Sequence, residues 1–89
     1  MDVRNNSEAG QYEVEVEGRT AFAAYRIEDG KAVFFHTVVP EALEGRGVGS
    51  ALVKGALDDV RRQGLKVVPL CSFVKGWIER HEEAQDLLA

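Results

Sequence analysis

An 89-residue chain holds one domain, because a second core would leave neither half with enough buried surface. Fifteen Asp+Glu against eleven Lys+Arg give a net charge of -4, the wrong sign for general nucleic-acid binding, and no apolar run reaches the ~18–20 residues of a membrane span. A single cysteine, Cys71, cannot close an internal disulfide, and no basic-then-apolar segment opens the sequence, so a reducing cytoplasm is the expected compartment.

Residues 1–10 are polar and small, with Asn5, Asn6 and Ser7 in a row, and are expected to be a disordered terminus, leaving 11–89 as the folded domain. From Gln11 the residues alternate: Tyr12, Val14 and Val16 take one side and Glu13, Glu15 and Glu17 the other, the period of a strand with one solvated face. Gly18-Arg19 suits a tight turn into a second strand, Thr20 to Glu28, apolar enough on both sides to be central. Asp29-Gly30 is a two-residue hairpin signal, since both central positions of a type I′ turn need positive φ. A third strand, Lys31 to Val39, follows antiparallel, with Val33, Phe34 and Phe35 apolar on both faces.

Pro40 ends that strand, and Glu41 to Gly49 is a glycine-rich loop. Beyond it, Leu52, Val53, Ala56, Leu57 and Val60 recur at helical spacing with Lys54, Asp58, Asp59, Arg61 and Arg62 opposite, and Gly64 supplies a C-terminal cap. Lys66 to Cys71 reads as a strand that this helix carries across to lie parallel to the third. Ser72 is placed to cap a second helix in which Val74, Trp77, Ile78 and His81 share a face. The elements thus read βββαβα, an α+β fold whose mixed sheet has antiparallel first strands and a parallel βαβ unit.

The chemistry is concentrated in Glu44-Gly45-Arg46-Gly47-Val48-Gly49-Ser50, between a strand and a helix. Glycines let successive N–H groups converge and the helix N-terminus adds partial positive charge, so the segment suits a diphosphate, with Arg46 as a mobile cation. A turn and helix cap is the plainer use of the same residues. A dinucleotide fingerprint fails on spacing, because the third glycine of GxGxxG and the acidic residue of a second parallel strand are missing.

Three segments, Thr37-Val38-Val39-Pro40, Gly45-Arg46-Gly47-Val48-Gly49-Ser50 and Leu65 to Phe73, together resemble the small single-domain branch of the GCN5-related N-acetyltransferase superfamily, and the likeness runs from Tyr12 to Leu88. The superfamily's loop pattern, Gln/Arg-x-x-Gly-x-Gly/Ala, maps onto Glu44, Gly47 and Gly49, with Glu44 standing where the pattern has a basic or amide residue. The resemblance implies acetyl-CoA as cofactor. Gly47, Gly49 and the neighbouring amides of Arg46, Val48 and Ser50 would hold its pyrophosphate, and Thr37, Val38 and Val39 would run beside the pantetheine arm. The helical insertion with which larger relatives build an acceptor site has no counterpart between the first strands. An open groove for a cationic or peptide-like amine is therefore expected, and the acidic net charge favours such a partner.

Acetyl transfer to an amine needs a free nucleophile, a polarised carbonyl and a proton for the departing thiolate. A backbone N–H near Val38 or Val39, freed where strands splay or bulge, is a candidate carbonyl donor. Cys71 ends a parallel strand, where ligand crevices open, and the resemblance implies a catalytic role for it, as proton donor or as acetyl carrier. An inert buried thiol is the plainer alternative. His36, just before Thr37, is the candidate base or acceptor-binding group, against the plainer reading of a satisfied strand histidine. Ser72 and Ser50 are read as cap or phosphate-contact hydroxyls, and Phe22, Phe34, Phe35, Trp77 and His81 as packing residues. Two histidines and one cysteine make no metal-ligand spacing, so no metal is expected. A non-catalytic acyl-CoA-binding module, or a small domain that recognises a partner protein along a strand edge, remain the rival functions.

Overall fold

The computed structural model describes residues 1–89. One five-stranded sheet runs β1 (Arg4–Asn6), β2 (Gln11–Val16), β3 (Arg19–Glu28), β4 (Lys31–Val38), β5 (Lys66–Pro69) in both chain and spatial order. The first four strands form an antiparallel meander and β5 lies parallel to β4. Helix α1 (Val48–Arg62) makes the crossover between β4 and β5, and α2 (Ser72–Glu79) follows β5. A 3-10 segment, Glu82–Leu87, leads to Leu88, which bridges Val67 and adds a last contact to the β5 edge. No helix is long and apolar enough to cross a membrane.

The α+β architecture read from the sequence is present with one strand more. Residues 4–6 are not a frayed terminus but pair with β2, and the polar character that suggested disorder is what ties them down. Glu13 Oε1 accepts from Arg4 at 3.0 Å, and its Oε2 accepts from Asn6 at 2.9 Å and Gln11 at 2.6 Å. Tyr25 donates its hydroxyl to Asn5 at 2.7 Å. Val3 then lies against α1 at Gly55, where any Cβ would stand 2.6 Å from its own. Glu13 is consequently buried, against the expectation of a uniformly wet glutamate face. Hydrogen bonds from Gln11, Asn6 and Arg4 hold its carboxyl below the usual carboxylate range.

Two-residue turns with positive φ at both positions join β2 to β3 and β3 to β4: Glu17-Gly18, one residue earlier than the sequence suggested, and Asp29-Gly30 as expected. The β3–β4 register slips at Ala24/Tyr25, where Ala24 faces His36 but Tyr25 faces Phe34, leaving Phe35 as the extra residue of a β-bulge. Thr37, opposite Ala23, therefore shares the face of Phe34, whereas His36 and Val38, opposite Ala24 and Phe22, take the other.

The core lies on the Phe34 face. Tyr12, Val14, Ala21, Ala23, Ala32, Phe34 and Val67 of the sheet meet Leu52, Val53, Ala56, Leu57 and Val60 of α1 and Val74, Trp77 and Ile78 of α2. The helical spacing of the α1 residues produces its apolar stripe. Gly64, with φ 74°, closes α1: its N–H bonds Arg61 O and that of Leu65 bonds Val60 O, so two terminal carbonyls are satisfied. Tyr12 crosses from sheet to helix by donating its hydroxyl to Asp59 at 2.6 Å, and Gln63 donates to the same carboxylate at 2.7 Å. Burial and that contact raise the Tyr12 pKa, so the hydroxyl keeps its proton as the donor.

Candidate active site

At the C-terminal end of β4 the sheet opens. Parallel pairing with β5 stops at Phe34 and Pro69, and Phe34 O then accepts from both Leu70 N–H (2.9 Å) and Cys71 N–H (3.0 Å), which turns the chain away into α2. Beyond Phe34, the β5-facing edge of β4 has no strand partner. The splay is where the sequence predicted freed backbone donors, with the bulge four residues before Val39, at Phe35.

A cleft of about 620 Å³ occupies this opening. Thr37, Val38 and Val39 form its strand side, Leu43, Glu44 and Gly45 its loop side, and Gly47 to Ser50 the helix end. Gly47 is the α1 N-cap in the left-handed region (φ 76°), and no side chain caps the helix. The first-turn N–H groups, which an α-helix cannot satisfy internally, are thus left for an outside acceptor. Gly49 is a glycine for another reason: a Cβ there would stand 2.6 Å from Phe73 Cζ and 3.3 Å from Val39 Cγ2. Phe73 of α2 rests on the start of α1 and closes that side of the cleft. Sequence reasoning gave neither Phe73 nor Leu43 a place at the cofactor site; their position beside glycines was the available signal.

This donor set fits a diphosphate-bearing cofactor: an uncapped helix N-terminus, backbone kept bare by Gly47 and Gly49, and a free strand edge beside it. Two residues expected to contact the cofactor lie elsewhere. Arg46 is turned outward, its guanidinium forked onto Glu17 at 3.1 and 2.9 Å, and does not line the cleft. Ser72 is the exposed first residue of α2 and is also absent from the lining; the N-cap is Cys71, one residue earlier than expected.

Cys71 is half-buried beside the cleft, with Sγ 3.3 Å from Thr37 Oγ1. Burial pushes the thiol up, but the Thr37 hydroxyl and backbone N–H groups of Val74, Phe73 and Thr37 favour the thiolate, and the balance falls below the ordinary cysteine value. His36 is exposed on the opposite face, edge-on to Phe22 with ring centroids 6.0 Å apart, and neither lines the cleft nor bonds Cys71. The structure thus brings Thr37, Val38, Val39, Gly47, Val48, Gly49 and Ser50 together, with Cys71 against Thr37, and leaves Arg46, Ser72 and His36 apart.

Comparison with known proteins gives these features a context. Over residues 11–87 the chain matches the family model described as GCN5-related N-acetyl-transferase. Protein NATD1 of Gallus gallus and of Mus musculus are each 36% identical to it over 52 residues, 58% of this chain and 47% of theirs, and NATD1 of Homo sapiens is similar to the same degree. The matched segment spans about half the length of these curated relatives. The solution structure of a GCN5-like candidate N-acetyltransferase from Staphylococcus aureus superposes with a TM-score of 0.76 at 26% identity, covering 99% of this chain and 87% of that one. With the glycine-flanked helix start, the splayed strands and a family match over most of its length, the chain belongs to the GCN5-related N-acetyltransferase family.

Proposed function

We propose that the protein transfers an acetyl group from acetyl-CoA to an amine, with the donor in the cleft beside β4 and Cys71 as the proton donor. The observation that carries this reading is the convergence, at one end of β4, of an uncapped helix start, an unpaired strand edge and a thiol bonded to Thr37. Acetyl-CoA supplies an activated thioester and a thiolate leaving group. The N–H groups of Val48, Gly49 and Ser50 bind its pyrophosphate, and the bare edge of Thr37 to Val39 pairs with the amides of its pantetheine arm. Free N–H groups at that edge polarise the carbonyl. Thr37 orients the Cys71 Sγ–H, and the lowered pKa eases release of its proton. The acceptor amine approaches across an open surface, and a net charge of -4 favours a cationic one. A working free thiol suits a reducing compartment such as the cytoplasm.

The test is a melting curve with millimolar CoA together with acetyl transfer to a panel of small amines, polyamines and lysine peptides. A raised Tm and transfer to a cationic amine are the expected results. An unchanged Tm overturns the cofactor assignment. A raised Tm without transfer to any amine overturns the enzymatic reading and leaves an acyl-CoA-binding module.

A further inference from the structure

Trp77 is the sole tryptophan of the chain and is only 5% exposed. An indole N–H is a donor with no acceptor capacity, so a buried one requires a partner. That partner is Ser50, whose Oγ lies 2.9 Å from Trp77 Nε1. Ser50 is the third residue of α1, and it lines both the donor cleft and a second cleft of about 490 Å³ bounded by Trp77 and His81. His81 stacks on the indole, with centroids 3.7 Å apart and planes 8° from parallel. Its Nδ1 lies 2.7 Å from the Trp77 carbonyl oxygen, which can only accept, so Nδ1 carries the proton. The indole is therefore held by packing, by stacking and by its N–H at once.

A serine hydroxyl in a helix has competing uses, because it can turn back to bond a backbone carbonyl. Donation from Trp77 occupies a lone pair of Ser50 Oγ and fixes the side chain between the two clefts, and the O–H remains free to donate. We propose that Trp77 is a positioning residue for the cofactor: its indole N–H holds Ser50 so that the hydroxyl donates to a phosphate oxygen beside the first amides of α1. This rests on the cofactor reading above and adds to it a residue that reads from sequence as simple packing.

The test measures CoA binding by calorimetry in the wild type, Ser50→Ala, Trp77→Phe and the double variant, and by Trp77 emission in the two proteins that keep the indole. CoA is expected to change wild-type emission. Trp77→Phe is expected to weaken CoA about fivefold, raising the KM for acetyl-CoA with kcat retained, and to have no further effect on CoA affinity in the Ser50→Ala background. Equal losses in both backgrounds overturn the proposal, because a packing role acts without Ser50. If Trp77→Phe does not fold, Ser50→Ala at its exposed position decides alone: an about fivefold weaker CoA and a diminished emission response support the proposal, and unchanged affinity overturns it. Absence of any binding heat in the wild type overturns the cofactor reading and this inference together, whereas binding with additive losses overturns this inference only.

Discussion

Arg46 and Glu17 form a two-pronged ion pair across 29 residues of sequence, joining the glycine-rich loop before α1 to the β2–β3 hairpin and turning the guanidinium away from the cleft. Both groups are exposed, so the pair adds little to stability. Arg46→Ala is expected to leave CoA affinity within about twofold and the Tm nearly unchanged, since solvent screens an exposed pair. A tenfold loss in a calorimetric titration would return Arg46 to the cofactor site.

The Thr37–Cys71 contact makes a pH prediction. A thiol serving as an acid acts while protonated, so transfer falls as pH rises through its pKa, and that alkaline limb lies below where an ordinary cysteine would put it. Thr37→Val removes a group that favours the thiolate, so the limb moves to higher pH. Cys71→Ser is expected to lower kcat about 10²–10⁴-fold with CoA affinity retained. Hydroxylamine-sensitive labelling of the protein by acetyl-CoA alone would instead identify an acetylated thiol.

Gly49 is constrained by Phe73 more than by backbone freedom. Gly49→Ala drives a methyl into the ring and is expected to destabilise by about 1 kcal/mol. Trimming the ring relieves the clash, so Gly49→Ala should cost less in a Phe73→Leu background. Denaturant midpoints of the four proteins measure this coupling, and additive effects would show that the ring moves aside freely.

Glu13 anchors β1 through a carboxylate that accepts at both oxygens. Its folded-state pKa is depressed, so its contribution is fully present above the unfolded-state value of about 4.3 and is lost as pH falls through the folded value. Glu13→Gln turns an amide NH₂ towards one set of donors and is expected to cost about 1–3 kcal/mol at neutral pH. Equilibrium unfolding at pH 7 and pH 3 checks both parts, because the difference between the two proteins should shrink in acid.

Local chemistry made much of the fold legible. Asp29-Gly30 announces its turn because few other pairs tolerate two positive φ values, and the α1 stripe survives in the spacing of Leu52 to Val60. The surroundings of Cys71 were legible because a parallel strand opens at a fixed end of such a sheet, although β5 stops at Pro69, two residues short of the expected bound, and Cys71 is already the cap of α2. What stayed hidden depends on side chains meeting at long range. Arg4 and Asn6 look like solvated polar residues until Glu13 is seen to collect them, and no local rule ties Arg46 to Glu17. Phe73 and Trp77 have apolar bodies that suggest packing alone, while one closes the cleft and the other bonds a serine in it.

The extra residue in β4 has a consequence for how this site can vary. Between Phe34, which anchors the core, and Thr37, which meets the thiol, the strand's two-residue alternation needs one odd step to keep both on the same side, and Phe35 supplies it. The phase therefore depends on a count and not on an identity. Many residues at position 35 would preserve it, and deleting the residue would straighten the strand yet leave Phe34 and Thr37 on one side, whereas a slip that paired residue 35 with Ala24 would rotate the Thr37 hydroxyl to the far side of the sheet and strand Cys71 without its partner, although every functional side chain would still be present in the chain.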